Sequence, residues 1–389
     1  GAQAGAMSIK LPASTKFATD GGPKFGSFCC VSRPGLSEGG VKVNQDSYTI
    51  VSPFAGRNDW GLFVVMDGHG VSGETLSAYC VSRLPVILEM HPKVVADPGT
   101  ALRESFVAVD EELREMFPRE AYKAGTTCVC ALVAGGTIFV ANSGDSRCVV
   151  GSMLANNTTA ATELSRDHKP DDPAELARIH ERGGWVSQRS EKCGPSRVFT
   201  NGVPPLCGGL AMARSLGDHM LGEVGVIAEP EVRVHEMGTS DKCLVLASDG
   251  LWDYVPSREV VEMVNAKCPT QGGPEEVEAA AIALMGKSSD EWAERFEGCY
   301  RDDITILIVA LQPAALPAAL PPAPRVVENG DKGAKRARVE VGALALPGVC
   351  VRVGISENTG MSERSTADRA NVPGPGSPDR RSQLLCIGV

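Results

Sequence analysis

The sequence predicts an α+β fold built on antiparallel strands, with a long appendage at the C-terminus. Three short apolar runs follow one another closely, at residues 127–133, 137–141 and 147–150. The turn dipeptides Gly135-Gly136 and Gly144-Asp145 separate these runs, and connections this short fit hairpins rather than βαβ crossovers. Stretches with helical periodicity flank the runs, and the composition changes abruptly at Gln312.

The composition limits the classes of protein to which the chain can belong. Its 389 residues carry 38 Lys plus Arg and 48 Asp plus Glu, a formal net charge of −10. Such an acidic chain lacks the basic surface that neutralises phosphates, so we expect no nucleic acid as the main partner. Apolar residues make up 43% of the chain, enough to bury a core. No apolar run reaches the ~18 residues needed to span a membrane, so no membrane span is predicted.

The cysteines indicate buried thiols. There are 13, an odd number, and most lie in apolar strand-like text, as do Cys128, Cys130, Cys148 and Cys243. In a chain of this length, they are typical of a reducing compartment rather than of a disulfide framework. The chain has no CxxC pair, which argues against a structural zinc site.

The first half of the chain predicts one strand and two helices before the three hairpin strands. Residues 60–66 (WGLFVVM) form an apolar run that ends at Asp67, as a buried strand would. Residues 72–90 have a helical pattern that Pro85 is expected to kink or end. Residues 100–117 predict a helix with one apolar face, formed by Leu102, Phe106, Val109, Leu113 and Phe117.

The second half predicts a polar loop, two strands and three helices. Residues 167–208 are rich in Gly and Pro, with one helical patch at 173–182, and are long enough for a functional flap. Further strands are predicted at 243–247 and 304–311. Further helices are predicted at 257–266 and 274–286.

These patterns divide the chain into three regions: a flexible segment at 1–23, a globular domain at 24–312 and a tail at 313–389. The tail contains no Phe, Trp or Tyr and begins with an Ala/Pro-rich stretch. Such a segment cannot bury enough apolar surface to offset its chain entropy, so we expect it to be mostly disordered. Its basic cluster at 332–338 (KGAKRAR) would suit a nuclear address. Cytoplasm is the default expectation, with the nucleus as the alternative, and we expect a monomer.

Aspartates recur where the predicted strands begin or end. They are Asp46, Asp67, Asp145, Asp249 with Asp253, and Asp302 with Asp303. Any one of them alone fits an ordinary turn, because Asp is common there. Together they would repel strongly unless a cation held them. Ligands that are all oxygen select Mg²⁺ or Mn²⁺ over zinc.

With these motifs the sequence resembles the metal-dependent serine/threonine protein phosphatases of type 2C, the PPM family. The resemblance spans about residues 24–312, and nine segments occur in family order. They are Asn-Gln-Asp-Ser at 44–47, Val-Met-Asp-Gly-His-Gly at 65–70, Gly-Thr-Thr at 125–127, Ala-Asn-Ser-Gly-Asp-Ser-Arg at 141–147, Leu-Ser-Arg-Asp-His-Lys-Pro at 164–170, Arg-Ile-His-Glu-Arg-Gly-Gly at 178–184, Gly-Gly-Leu-Ala-Met-Ala-Arg-Ser-Leu-Gly-Asp at 208–218, Ala-Ser-Asp-Gly-Leu-Trp-Asp at 247–253, and Arg-Asp-Asp-Ile-Thr at 301–305.

The resemblance implies a central β-sandwich flanked by helices, in four layers α/β/β/α, with a two-metal site at one end. It implies that Asp67 bridges two Mg²⁺ or Mn²⁺ ions and that the Gly68 carbonyl ligates one. By the same match, Asp249 and Asp302 complete the coordination of the first ion, and Asp46 coordinates the second. A weaker third ion is implied at Asp145 and Asp253, together with Asp249.

The implied activity is hydrolysis of phosphoserine and phosphothreonine in protein substrates. In the family a hydroxide bridging the two ions attacks phosphorus directly, without a phosphoenzyme. His69 matches the general acid that protonates the leaving alkoxide, a role that imidazole suits near neutral pH. The flap corresponds to residues 168–208, where we expect Trp185 to pack rather than to contact substrate.

Two positions depart from the family pattern. Gln45 stands where many relatives have Glu, and a Gln carbonyl carries no charge. We expect weaker binding of the second ion, with Asp46 providing more of its coordination. Val41 stands where the family often has an Arg for the substrate phosphate, and Lys42 or Arg33 are the candidates to replace it. These departures leave an alternative, a catalytically weak phosphatase-like binding or regulatory protein. The tail could independently recruit partners.

Overall fold

Two antiparallel β-sheets lie face to face, and helices cover the outer face of each. This computed structural model describes residues 25–190, 194–200, 209–268 and 272–312, together with the backbone of 351–354. The four-layer α/β/β/α prediction is confirmed. The predicted flexible N-terminal segment, the predicted nuclear address and the tail other than 351–354 lie outside the described residues.

The strands in chain order are β1 (Phe25–Arg33), β2 (Leu36–Ser37), β3 (Gly40–Val41), β4 (Asp46–Val51), β5 (Trp60–His69), β6 (Gly125–Thr126), β7 (Cys128–Ala134), β8 (Thr137–Ser143), β9 (Arg147–Met153), β10 (Thr159–Glu163), β11 (Trp185–Val186), β12 (Val198–Phe199), β13 (Leu216–Gly217), β14 (Glu231–Glu236), β15 (Asp241–Ala247), β16 (Ile304–Leu311) and β17 (Val351–Gly354). The helices are α1 (Gly73–Glu89), α2 (Pro98–Met116), α3 (Pro173–Glu181), α4 (His219–Gly222), α5 (Asp249–Trp252), α6 (Ser257–Lys267) and α7 (Pro274–Arg295).

The two sheets differ in size. The smaller has the strand order β1-β16-β15-β9-β10. The larger has the order β13-β6-β5-β7-β8-β14, and β4 pairs with the free side of β5 and with β17. The hairpin β7–β8 lies within the larger sheet, and the next turn carries the chain from β8 to β9 in the smaller one. The predicted antiparallel arrangement is therefore correct, and one of the predicted turns connects the two layers.

The space between the sheets is filled by alternate residues of the central strands. Phe63 and Val65 of β5 point inward, as do Leu307 and Val309 of β16. Their neighbours in sequence face the helices instead, because successive side chains of a strand point to opposite faces. All eight residues of β16 are buried for this reason, and its predicted bounds were correct.

Helices α1 and α2 cover the larger sheet, and α5, α6 and α7 cover the smaller one. The predicted face of α2 is confirmed, with Phe106 fully buried and Phe117 at the end of the helix partly so. Asp97 caps the first turn of α2, since its Oδ1 accepts a hydrogen bond from the Thr100 amide at 3.1 Å. Pro98 fits the first helical position because its missing N–H would be unpaired there.

Some predicted boundaries were wrong. Helix α1 spans nearly the predicted range, Gly73–Glu89, and does not end at Pro85, which is itself buried. Helix α7 runs nine residues beyond its predicted end to Arg295, because Trp292 buries its ring in the same core. Strand β5 does not end at Asp67, since β6 pairs with Gly68 and His69 and keeps the chain extended. The short strands of the flap and the long β1 were not predicted.

The cysteines that the sequence placed in strands, Cys128, Cys130, Cys148 and Cys243, are buried free thiols. Burial raises the pKa of each one, so they are inert as nucleophiles. In the described part of the chain, no helix has the length and apolarity needed to cross a membrane.

We expect Phe63→Ala to lower the free energy of unfolding by about 3–5 kcal/mol, the range for large core truncations. The Phe63 ring makes edge contacts with Phe25 and Phe28, at centroid distances of 5.3 and 5.7 Å. Urea unfolding of both proteins would measure the change. Val234→Ala on exposed β14 is the control and should change the value by less than about 0.5 kcal/mol. A loss below about 1 kcal/mol for Phe63→Ala would contradict the assigned core.

Candidate active site

The predicted aspartates gather at one end of the sandwich, drawn from both sheets. Asp46 begins β4 and lies directly opposite Asp67 of β5 in the strand register. Asp145 lies in the turn from β8 to β9, Asp249 begins α5 after β15, and Asp302 stands two residues before β16. Antiparallel neighbours begin and end at the same edge, so these positions converge.

Asp46 is buried and only partly satisfied. Its Oδ2 accepts a hydrogen bond from Ser248 Oγ at 2.8 Å, which links the two sheets. Its Oδ1 has no hydrogen-bond partner among the described residues. Burial and the neighbouring Asp303 raise the pKa of Asp46 to about 7. A buried oxygen left in this way calls for a proton or a cation.

Asp67 is anchored by its backbone and surrounded by like charge. Its amide donates to Thr127 Oγ1 at 3.0 Å, and its carbonyl accepts from the Thr127 amide at 2.8 Å. Desolvation raises the pKa of the Asp67 carboxyl well above its usual value, and the charges of Asp46 and Asp249 raise it further. Desolvation and the charge of Asp253 raise the pKa of Asp249 well above its usual value. Asp253 itself faces solvent.

Two lysines provide the nearest counter-charges. Lys169 Nζ contacts Asp145 Oδ2 at 2.6 Å, while Asp145 Oδ1 is buried with no hydrogen-bond partner in the described structure. Lys42 Nζ contacts Asp302 Oδ1 at 2.8 Å and lies over the Tyr300 ring. Burial lowers the pKa of each ammonium, but its carboxylate partner outweighs this and leaves the pKa raised.

Asp302 and Asp303 have different tasks. Asp303 accepts hydrogen bonds from the amides of Gly35, at 2.5 Å, and Gln45, at 2.9 Å. It therefore fixes the loop before β4, whereas Asp302 has only side-chain partners apart from the amide of Asp303. This difference supports the choice of Asp302 as the candidate ligand.

Gly68 lies where no larger residue would fit. A Cβ there would overlap the Gly73 carbonyl at the start of α1 and lie 2.6 Å from the Gln45 carbonyl. Gln45 is tied to the same helix, since its Nε2 donates to the Gly70 carbonyl at 2.8 Å and to Glu74 Oε2 at 3.0 Å. The loop before β4, the end of β5 and the start of α1 thus form one tight junction.

His69 is buried two residues beyond Asp67, on the same face of β5. Its Nε2 lies 2.6 Å from Asp218 Oδ2, and its Nδ1 has no hydrogen-bond partner among the described residues. Burial lowers the pKa of His69, but the charge and hydrogen bond of Asp218 outweigh this and raise it above its usual value.

The residues proposed for the substrate phosphate lie apart. Lys42 is among the carboxylates, while Arg33 at the end of β1 donates to Ser289 Oγ of α7 at 2.8 Å. Val41, in the short strand β3, is exposed. Lys42 is therefore the candidate that the fold brings to the site.

The donor set fits Mg²⁺ or Mn²⁺ by its chemistry. Its groups are carboxylate and carbonyl oxygens, and two of the buried oxygens, Asp46 Oδ1 and Asp145 Oδ1, have no partner in the described structure. Within the described ranges, however, no three His, Cys, Asp or Glu side chains stand ready to hold a metal ion.

Comparison with known proteins identifies the family. A family model described as protein phosphatase 2C matches residues 37–285. The chain belongs to the protein phosphatase 2C family. It is therefore a serine/threonine protein phosphatase, and metal dependence is characteristic of that family.

Individual relatives agree with this assignment. The chain is 34% identical to probable protein phosphatase 2C 35 of Arabidopsis thaliana over 290 residues, 70% of this chain and 79% of the relative. It is 33% identical to probable protein phosphatase 2C 61 of the same plant, over 70% of this chain and 82% of the relative. The crystal structure of a serine-threonine phosphatase 2C from Toxoplasma gondii has the same fold, with a TM-score of 0.64 and 24% identity over 78% of this chain and 98% of that one.

In this phosphatase the described part of the predicted flap, residues 168–190 and 194–200, contains helix α3 and strands β11 and β12. Strands β11 and β12 pair, and the Trp185 ring packs on Phe199 at a centroid distance of 5.1 Å, although Trp185 is 43% exposed. The fully buried carboxylate of Glu175 in α3 makes ion pairs with three arginines. They are Arg166, Arg178 and Arg214. This cluster anchors α3 to the segments on either side of the flap.

Sequence reasoning missed three residues of the site. Lys169 and Asp218 lie within segments that carried the family resemblance, but nothing in the sequence linked them to Asp145 and His69. Glu74 is an ordinary first-turn acid of α1, and its contact with Gln45 spans 29 residues. Charge and spacing alone do not reveal such pairings.

The Glu175 cluster should make stability depend on pH. Burial alone would raise the pKa of Glu175, but the hydrogen bonds and charges of Arg214 and Arg178 outweigh it and lower the pKa to about 2. A lowered native pKa stabilises the fold above the unfolded value near 4.5, and the gain is lost as pH falls toward 2. We expect Glu175→Gln to remove about 3 kcal/mol at neutral pH and to flatten the decline between pH 4.5 and about 2.

Urea unfolding of both proteins at several pH values measures this difference. Glu104→Gln is the control, because its contacts with Lys93 and His91 lie on the surface. It should change stability by less than about 1 kcal/mol. Parallel stability curves for wild type and Glu175→Gln would contradict the assigned charge cluster.

Proposed function

We propose that the gathered carboxylates bind two Mg²⁺ or Mn²⁺ ions and that the enzyme uses them to hydrolyse phosphoserine and phosphothreonine in protein substrates. The observation that carries this proposal is the pairing of Asp46 with Asp67 across β4 and β5, with Asp46 Oδ1 left without a partner in the described structure. Asp46 is buried and Asp67 is half-buried, and two adjacent carboxylates in such surroundings are costly to keep charged without a cation.

Each proposed ligand has a position that supports its role. Asp67 would bridge the ions, with the Gly68 carbonyl, Asp249 and Asp302 around the first and Asp46 at the second. Asp145 and Asp253, with Asp249, would hold a weaker third ion. Asp302, whose two oxygens contact Lys42 and Tyr300, would release Lys42 to bind an ion. Asp145 contacts Lys169 through Oδ2 and has Oδ1 without a partner in the described structure. Both lysines lie on chain segments outside the sheets.

When bound, a pair of such ions lowers the pKa of a shared water and stabilises the charged oxygens of a phosphoryl group in transfer. The chain supplies the remaining groups. His69 would give a proton to the departing Ser or Thr oxygen, because it lies on the same strand face as Asp67. Lys42 would hold a phosphate oxygen as a point charge, in place of the arginine that Val41 replaces. Arg33 is the weaker candidate, being held by Ser289.

Phosphate release from a phosphothreonine peptide tests the proposal. We expect activity with Mn²⁺, none after EDTA, and a loss of at least about 100-fold in Asp67→Asn, as for groups central to catalysis. Asp59→Asn, which removes a surface partner of Arg57, should keep full activity. Mn²⁺ should also raise the melting temperature of wild type but not of Asp67→Asn.

A folded wild-type protein with no activity across a wide Mn²⁺ range would contradict the proposal. It would favour the alternative of a phosphatase-like regulatory protein. Activity that survives both EDTA and Asp67→Asn would place the chemistry elsewhere. Cytoplasmic location and a monomeric state stay predictions of the sequence.

The contacts of Gln45 sharpen the expectation that the second ion binds weakly. Gln45→Glu alone would bring a carboxylate against Glu74 Oε2, which now accepts a hydrogen bond at 3.0 Å. Exchanging both residues, Gln45→Glu with Glu74→Gln, keeps a donor opposite an acceptor and moves the charge toward the site. We expect the double exchange to tighten weak Mn²⁺ binding on the order of tenfold, and Gln45→Glu alone to gain less.

Calorimetric titration with Mn²⁺ measures both affinities, with Glu74→Gln as the control that should not tighten binding. An unchanged or weaker affinity in the double exchange would show that Gln45 does not limit the second ion.

A further inference from the structure

We propose that Asp218 is a positioning residue for His69: it accepts a hydrogen bond from Nε2–H, fixes the ring, and leaves Nδ1 as the atom that gives its proton to the leaving oxygen. This rests on the proposed function, which makes His69 the general acid. Asp218, the proposed partner of His69, lies 149 residues away from it in the chain.

A three-strand ladder brings the two residues together. Strand β6 lies between β5 and β13, with Gly125 opposite both His69 and Gly217. Asp218 follows Gly217 directly, so its carboxylate must reach across the position of Gly125 to meet the imidazole. A Cβ at Gly125 would overlap Asp218 Oδ2. The absence of a side chain at Gly125 is therefore what makes the contact possible.

Hydrogen bonds hold the Asp218 carboxylate in place beside His69. Its Oδ2 also accepts from Ser215 Oγ at 2.7 Å, and its amide donates to the Ala124 carbonyl at 2.9 Å. Within the described ranges, His69 is the one side chain that forms an ion pair with Asp218. Both side chains are less than 10% exposed. A short hydrogen bond between groups this buried fixes the orientation of the ring.

The ordinary role of this aspartate does not account for the contact. Asp218 stands at the N-cap of α4, where an Asp side chain normally accepts an amide of the first helical turn. Here it makes no such bond. Its backbone is left-handed, with φ of 46°, a conformation that Asp tolerates better than most residues. The carboxylate thereby turns away from the helix and toward the imidazole.

The proton that leaves His69 goes to the leaving oxygen of the substrate. As a water oxygen forms its bond to phosphorus and releases its proton to solvent, the P–O bond to the substrate breaks. The pair of electrons stays on the Ser or Thr oxygen, which takes the proton from Nδ1. The ring is left neutral with its remaining proton on Nε2, still donated to Asp218. Solvent returns a proton to Nδ1 when the product alcohol leaves. Asp218 is never protonated in this cycle, so its effect is on the orientation and tautomer of His69.

Leaving-group dependence separates this role from a structural one. A threonine alkoxide needs a proton to depart, whereas p-nitrophenolate does not. We expect His69→Gln and Asp218→Asn each to lower kcat on a phosphothreonine peptide about 10- to 100-fold, and on p-nitrophenyl phosphate by less than about threefold. The double variant should be no slower than His69→Gln alone, because the two residues act as a unit.

Asp110→Asn is the matched control. Asp110 of α2 holds the same turn through the Gly217 amide, at 2.7 Å, and His219 Nε2, at 3.0 Å, and these contacts do not involve His69. Any loss it causes should be equal for both substrates. If Asp218→Asn folds poorly, Ser215→Ala removes one hydrogen bond from Oδ2 and should show the same substrate bias more weakly.

A readout without turnover completes the test. Nitrogen-15 NMR of the metal-free protein should show that Nε2 of His69 keeps its proton whether or not Nδ1 is protonated, with a hydrogen-bonded proton signal that Asp218→Asn removes. Equal losses on both substrates for Asp218→Asn, or an unchanged His69 signal, would overturn the proposal. If His69→Gln itself shows no leaving-group bias, the acid role in the proposed function fails and the positioning role falls with it.

Discussion

The pairing of Asp46 with Asp67 across two neighbouring strands is the constraint on which this end of the molecule depends. Strand register places the two residues opposite each other, and their carboxylates cannot both be charged there at little cost. Burial and the nearby Asp303 already raise the pKa of Asp46 to about 7. The arrangement becomes favourable only with positive charge among the acids. Lys42 and Lys169 provide it at the edges, and the proposed ions would provide it at the centre.

The rest of the fold holds these charges against their repulsion. Ser248 links Asp46 to the opposite sheet, and the amides of Gly35 and Gln45 hold Asp303. Gly68 lets the start of α1 press against the end of β5. Behind them lies a three-part apolar core, between the sheets and beneath each helical layer. Burial of this core stabilises the fold and thereby offsets the cost of gathering like charges at one end.

Local patterns and motifs were enough to predict part of this architecture. The apolar run of β16 and the periodic face of α2 needed no more than hydrophobic spacing. The gathering of the aspartates could be predicted because they recur at strand ends, and antiparallel strands bring such ends together. The sequence could not reveal contacts that close over long separations, such as His69 with Asp218 or Lys169 with Asp145. The expected end of α1 at Pro85 was wrong because the helix runs past this proline, whose ring is buried. The end of α7 was predicted too early because residues 287–295 are mostly polar, and the burial of Trp292 in the core could not be read from them.

A crystal structure of the protein grown with Mn²⁺, with anomalous scattering recorded at the manganese edge, would show whether these carboxylates bind two ions. We expect two strong peaks flanking Asp67, one near Asp249 and Asp302 and the other near Asp46. We also expect Lys42 to move away from Asp302. A map without anomalous peaks at this end of the sandwich, with Lys42 and Lys169 still bound to Asp302 and Asp145, would contradict the proposed two-ion site.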